Sequence, residues 1–220
     1  MSAVFTQQEI DSVYRVIRER RDVRHFVPGS VDEAVIARLL QAAHQAPSVG
    51  YMQPWRFIRI ASLDLREAII NLVEAERRNT AEALGERGAE FMRLKVEGIR
   101  ECGALFVVAL ADGREAHVFG RRTLPEMDLA SVACAIQNMW LAARAEGLGM
   151  GWVSLFDPEQ LAQLLAMPQG ARPVAVLCLG HVEQFYPRPM LELEGWDTRR
   201  ELESLVAVDS WSNTGGQKAL

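Results

Sequence analysis

The sequence predicts an α+β fold, a sandwich with helices packed around one sheet. Three observations point there. Strand-like and helical segments alternate, yet without the clean rhythm of βαβ units. A helical stretch over residues 63–100 interrupts the strands. No Gly-x-Gly-x-x-Gly follows a predicted strand, which removes the usual dinucleotide fingerprint of a doubly wound sheet.

Each element has its own signal. Thr6 and Glu9 have capping-box spacing, and Ile10, Val13, Tyr14 and Ile17 recur behind them at helical intervals, so a first helix runs to about Arg18. Pro28-Gly29 breaks that pattern. Ser30 or Asp32 starts a second helix, with Val35, Ile36, Leu39, Leu40 and Ala43 on one face, which ends before Pro47. Residues 55–61 alternate and are bulky, as a strand requires. The helical stretch 63–100 has interruptions near Gly85 and Gly88; its many charges read as a solvated face or as a mobile lid over a site. Residues 104–110 (ALFVVAL) suit a central strand buried on both faces. Residues 126–146 form a helix that is apolar nearly all round and is stopped by Gly147. Further strands fall at 149–155 and 173–179, with a helix at 157–165 between them. The tail after Gln184 carries Pro187, Pro189, Trp196 and Trp211 and little regular structure. It cannot form a core alone and is expected to wrap over another surface.

Composition narrows the function. The 220 residues carry a formal net charge of −5, which gives no reason to expect nucleic acid. No apolar stretch is long enough to cross a bilayer, and the N-terminus turns polar at once. Cys102, Cys134 and Cys178 lie far apart with no metal or disulfide spacing; Cys134 and Cys178 read as small buried hydrophobes. Such sparse cysteines suit a reducing compartment, so a cytoplasmic protein is expected. The four histidines show no metal spacing, and no metal is expected.

Two clusters carry chemistry. Arg20, Arg21 and Arg24 put three guanidiniums within five residues at the irregular end of a helix, interleaved with Asp22 and Val23. Arginine offers a planar fork that matches phosphate oxygens. Alone, the cluster reads more readily as a solvated basic turn with Asp22 as a weak local partner. The second cluster is APSVGYMQPW, residues 46–55. Its two prolines leave backbone N–H groups outside any ladder, Ser48 adds a hydroxyl, and Gln53 adds an amide. Alone, it is equally an ordinary helix-to-strand connection.

Together, and with one helix between them, the clusters resemble the nitroreductase family of FMN flavoproteins, where an Arg-rich turn and a PSxxNxQPW-like loop clasp the flavin. The segments RRDVRHF, APSVGYMQPW, LKVEGI, GRRTLPEMD, QNMWLAARAEGLGMGWVS and LCLGHVE are similar to the branch of that family whose members make 5,6-dimethylbenzimidazole. Asp22 stands where ordinary members carry Ser or Thr, and Gly50 where Asn is common. Ala130 and Phe119 depart from the branch, which leads one to expect Tyr and Leu there.

The resemblance implies a single domain over residues 1–220, folded as a three-layer sandwich with a mixed sheet. It also implies a helical lid near 63–100 and a tail at 185–220 that wraps a partner subunit. It places Arg20, Arg21, Val23 and Arg24 along the FMN phosphate and ribityl chain, with Ser48, Gln53 and Ser154 beside the flavin. Arg199, with Arg200 as its rival, reaches the phosphate. Asp22 and Ser154 are the expected catalytic pair. The implied reaction is the oxygen-dependent fragmentation of reduced FMN to 5,6-dimethylbenzimidazole and erythrose 4-phosphate, in a homodimer with FMN between the subunits. FMN is then a substrate, O2 a co-substrate, and NAD(P)H acts through a separate flavin reductase. A carboxylate among arginines is expected to have its pKa lowered and to stay ionised. Two rivals share the same phosphate contacts: a conventional NAD(P)H-dependent flavin or nitro reductase, and a non-catalytic carrier of reduced flavin.

Overall fold

The computed structural model describes residues 4–211. Its elements run α1 (Gln7–Glu19), α2 (Glu33–His44), β1 (Trp55–Arg59), α3 (Leu63–Ala83), α4 (Gly88–Phe91), β2 (Ala104–Leu110), α5 (Met127–Ala145), β3 (Gly149–Val153), α6 (Pro158–Leu164), β4 (Arg172–Gly180) and α7 (Met190–Leu193). The chain forms two compact units, one ending at Pro187 and one beginning at Arg188.

Local chemistry fixes the helix ends. Thr6 and Glu9 close a capping box on α1, Asp32 caps α2 through the N–H groups of Ala34 and Val35, and Asp157 caps α6 ahead of Pro158. Gly147, at φ +76°, takes the left-handed turn that ends α5.

The first unit is built on a four-stranded sheet of order β1-β2-β4-β3. All three strand pairs are antiparallel, so the expected mixed sheet is corrected. The parallel contact seen is an isolated bridge between Asp22 and Met150, outside the strands. Every residue of β2 is buried, and its side chains alternate between two cores. Ala104, Phe106, Val108 and Leu110 pack with Leu39 of α2 and with Ile136 and Met139 of α5. Leu105 and Val107 pack with Ile69, Ile70 and Val73 of α3 and with Leu161 of α6. Helices therefore cover both faces, giving three layers of the expected α+β class.

Several expectations need correction. Residues 92–100 are not helical: α3 gives way to a 3-10 turn and the four-residue α4, and a turn follows. Arg77 Nη2 holds that turn through the carbonyls of Met92 (2.5 Å) and Leu94 (2.9 Å), so side-chain bonds replace a helical ladder. Cys134 is exposed, because it lies on the side of α5 turned away from both cores, whereas Cys102 and Cys178 are buried. The third strand stops at Val153, one residue short of Ser154. No described helix is long and apolar enough to cross a membrane.

The second unit has the short α7 and a 3-10 turn at Leu202–Leu205, in keeping with the little regular structure expected there.

Candidate active site

The Arg-rich turn is placed by α1 and by the open edge of β3. At its C-terminal end α1 is tied to α5, since Arg144 Nη2 pairs with Glu19 Oε2 at 2.7 Å and Trp140 Nε1 donates to the Arg21 carbonyl at 3.1 Å. The chain then runs alongside β3, where the Val23 N–H donates to the Met150 carbonyl at 3.0 Å. Gly151 permits this approach: a Cβ there would sit 2.2 Å from the Val23 carbonyl oxygen.

Asp22 and Arg24 form one bidentate pair, Nη1 to Oδ1 at 2.6 Å and Nη2 to Oδ2 at 2.7 Å. The pair closes the edge of β3 at Trp152. The Trp152 N–H donates to Asp22 Oδ1 at 3.0 Å, and Arg24 Nη2 donates to the Trp152 carbonyl at 2.8 Å. Arg24 is buried, while the Asp22 side chain keeps 45% of its surface open.

Electrostatics at Asp22 differ from expectation. Loss of hydration on burial beside β3 pushes its carboxyl above the ordinary value of 3.8. The Arg24 charge, the Trp152 N–H and the Arg20 charge pull the other way and do not prevail. The expected lowering among arginines is thus corrected.

The other arginines have distinct surroundings. Arg21 is tied to main-chain carbonyls: Nε to Tyr186 at 3.0 Å, Nη1 to Arg18 and Arg20 at 2.8 Å each, and Nη2 to Pro187 at 2.9 Å. The Arg20 guanidinium stacks over the Trp140 ring, 4.4 Å from its centroid. Ser154 is exposed just beyond β3, at the mouth of a cleft of about 440 Å³. Arg114, Arg121 and Asp128 line that cleft, with both guanidiniums on Asp128 Oδ2 at 2.8 and 3.0 Å. Ser154 lies two residues after Trp152, about 6–7 Å along the chain from the residue that holds Asp22.

Ser48 and Gln53 lie elsewhere, in the loop that leads into β1. Three of its residues adopt left-handed backbone: Gly50, Tyr51 and Gln53, at φ +53°, +54° and +50°. Ser48 Oγ accepts the Gln53 N–H at 3.0 Å, and Ser131 Oγ accepts the Val49 N–H at 3.0 Å, which pins the loop to α5. Two non-glycine residues in the left-handed region are the kind of strain that collects at binding sites.

The structure brings Arg20, Arg21, Asp22, Val23 and Arg24 together beside the third strand, with Ser154 at its end. Ser48 and Gln53 it sets apart, because their loop enters at β1, on the opposite edge of the sheet. Arg199 and Arg200 lie in the second unit, both exposed. Sequence reasoning missed Trp152, whose role is carried by its main chain, and Tyr186, whose contacts are all long-range. It also passed over the Asp128 cluster, although Arg121 and Asp128 stand seven residues apart in GRRTLPEMD.

Comparison with known proteins fits this geometry. A 5,6-dimethylbenzimidazole synthase from Rhodospirillum rubrum is 43% identical over 194 residues, covering 86% of this chain and 91% of that one. One from Rhodobacter capsulatus is 41% identical, covering 87% and 94%. Among solved structures, a BluB-like flavoprotein from Clostridium difficile superposes with a TM-score of 0.69 at 18% identity, covering 90% of this chain and 99% of that one. Iodotyrosine deiodinase bound to FMN and 3-iodo-L-tyrosine gives 0.67 at 23% identity, covering 92% and 99%. The family model described as "Nitroreductase family" matches residues 17–181, and the chain belongs to that family.

Proposed function

We propose that this chain is a 5,6-dimethylbenzimidazole synthase that consumes reduced FMN and O2. The observation that carries the reading is Asp22, held in one orientation by the Arg24 fork and the Trp152 N–H, two residues of β3 before Ser154. The two relatives named above bear that activity in their names, at 43% and 41% identity.

The residues present suit a flavin. Its phosphate and ribityl hydroxyls call for positive charge and hydrogen-bond donors. Arg20 and Arg21 would line that end, in the field of a turn with three guanidiniums, while Val23, whose N–H is spent on the Met150 carbonyl, fixes the turn against β3. Ser48 keeps its hydroxyl proton, because its oxygen is used as an acceptor, and the Gln53 amide and Ser154 hydroxyl have no side-chain partner among the described residues. These groups would meet the polar edges of the ring. When bound, reduced FMN would supply the chemistry, its reaction with O2 splitting it into 5,6-dimethylbenzimidazole, erythrose 4-phosphate and the remaining pyrimidine part of the ring.

Asp22 has the chemistry of a proton acceptor. Its oxygens are anchored by Arg24 and Trp152, yet one face of the carboxylate stays open. A raised pKa brings it closer to the working range of a general base. Ser154 would orient the ring or a water at the end of β3. Arg24 acts on the ligand through Asp22.

The site is completed by a second copy in a homodimer. Both faces of the sheet are packed, and among the described residues the Asp22 turn and the Ser48 loop lie at opposite edges of it. The apolar face of α1, with Val13, Tyr14 and Ile17 exposed, gives such a copy something to cover. A separate NAD(P)H-dependent flavin reductase supplies the reduced flavin, in the cytoplasm, where free cysteines such as these persist.

A single-turnover incubation with chemically reduced FMN in air, followed by mass spectrometry, tests the assignment. Dimethylbenzimidazole is expected from the wild type and is lost in Asp22→Asn. Quantitative recovery of FMN with peroxide would place the chain among reductases or carriers instead.

A further inference from the structure

One aromatic residue outside the flavin motifs grips the Arg-rich turn. The Tyr186 phenol oxygen accepts the backbone N–H groups of Arg24 and His25, both at 3.2 Å, and lies 2.7 Å from His25 Nδ1. With two hydrogens already accepted, the phenol has its own proton left to donate. Nδ1 then serves as the acceptor for it. The two rings meet edge to face, 6.0 Å apart. From the same residue, the main-chain carbonyl accepts Arg21 Nε, and the next carbonyl, of Pro187, accepts Arg21 Nη2. The turn is thus held at Arg21 by two carbonyls and at Arg24 and His25 by one hydroxyl, with Asp22 and Val23 between the two grips.

We propose that Tyr186 is a positioning residue for Asp22, acting through the Arg24 backbone and its guanidinium fork. The fork fixes both carboxylate oxygens, so the orientation of Asp22 follows that of Arg24. Two consecutive amides with the same oxygen as partner leave the Arg24 main chain little freedom to rotate. His25 aims the phenol proton away from those amides and so presents the oxygen lone pairs to them. This rests on the assignment of Asp22 to the chemistry.

The test compares the wild type with Tyr186→Phe, His25→Ala and His25→Asn, whose amide oxygen stands near the place of Nδ1. Each is assayed for dimethylbenzimidazole per FMN consumed, for FMN affinity by flavin fluorescence, and for the Asp22 side-chain carboxyl carbon-13 signal. In Tyr186→Phe, which removes the phenol's bonds to the Arg24 and His25 amides and to the imidazole, the affinity is expected to stay within about fivefold, because none of these bonds is made to the ligand. The product yield falls roughly ten- to a hundredfold, as for a misplaced catalytic group. The Asp22 signal moves, and His25→Asn retains more of the yield than His25→Ala. Wild-type yield in Tyr186→Phe overturns the proposal, and so does a loss of yield that merely tracks lost affinity and melting temperature. If the wild type itself makes no dimethylbenzimidazole, the synthase reading has failed and the carbon-13 signal decides alone. An Asp22 signal unmoved by Tyr186→Phe then overturns the positioning role, and a moved one upholds it.

Discussion

Asp22 shows how one side chain serves two demands that pull against each other. It neutralises Arg24, which is buried, and it leaves open the face that the proposed chemistry would use. In Asp22→Asn the neutral amide leaves Arg24 without its counter-charge. That is expected to cost about 1.5–3 kcal/mol, the range for hydrogen bonds to charged groups, and not the larger cost of splitting a fully buried pair. Denaturant unfolding measures it, and an unchanged midpoint would show the pair to be idle. The pH dependence has a definite sign. Burial raises the folded carboxyl above its ordinary 3.8, so between these values the folded state binds more proton than the unfolded one. Stability from this group is present below 3.8 and is lost as pH rises through the folded value. A carbon-13 titration of the Asp22 carboxyl should therefore have its midpoint above 3.8; one at or below that value contradicts the role of burial. Gly50 is a second residue whose identity the structure explains. It sits at φ +53°, and a Cβ there would lie 2.9 Å from the Phe119 carbonyl oxygen. Gly50→Ala is expected to destabilise by about 1–3 kcal/mol, from the left-handed backbone and the contact together. Thermal melting checks it, and a gain in stability would mean that the Phe119 segment gives way freely.

At the scale of elements, α1 is the exception among the long helices. Its sequence has a strong apolar stripe, yet no residue of it is buried, and Val13, Tyr14 and Ile17 are 59%, 65% and 50% exposed. An isolated helix of 13 residues is marginal in water, so this one needs a partner surface. If a second copy supplies it, Ile17→Asp should convert a dimer to a monomer in sedimentation, and an unchanged mass would remove α1 from the interface. The same helix marks the limit of sequence reading. Thr6, Glu9 and the spacing of Ile10 to Ile17 gave its bounds to within a residue, because caps and periodicity are local. The surface that Val13 and Ile17 face is not encoded in their spacing. Residues 92–100 failed for the opposite reason, since Arg77 bonds across the turn override helical propensity. The ALFVVAL run was legible because burial on both faces leaves composition as its signature. Trp152 and Tyr186 were not, because a backbone N–H and a long-range phenol leave no motif.

For the whole molecule, the arrangement of the sheet decides how many chains a site needs. Asp22 lies beyond β3, and the Ser48 loop enters at β1. Four strand spacings of about 4.8 Å put them about 19 Å apart across the sheet. Along α5, the loop is bonded at Ser131 and the turn at Trp140, nine residues or about 14 Å apart. The two flavin motifs, read from sequence as one clasp, thus belong to different edges of each copy. In a two-fold dimer the loop of one copy can meet the turn of the other. This predicts complementation between two inactive variants, Asp22→Asn and one in which Ser48 and Gln53 are both replaced by Ala. In the mixed dimer one site inherits both defects and the other inherits none. A statistical mixture should recover about one quarter of wild-type product, because half of the dimers are mixed and each carries one intact site. If both motifs served the flavin of their own chain, every site in the mixture would hold one defect, and mixing would restore nothing.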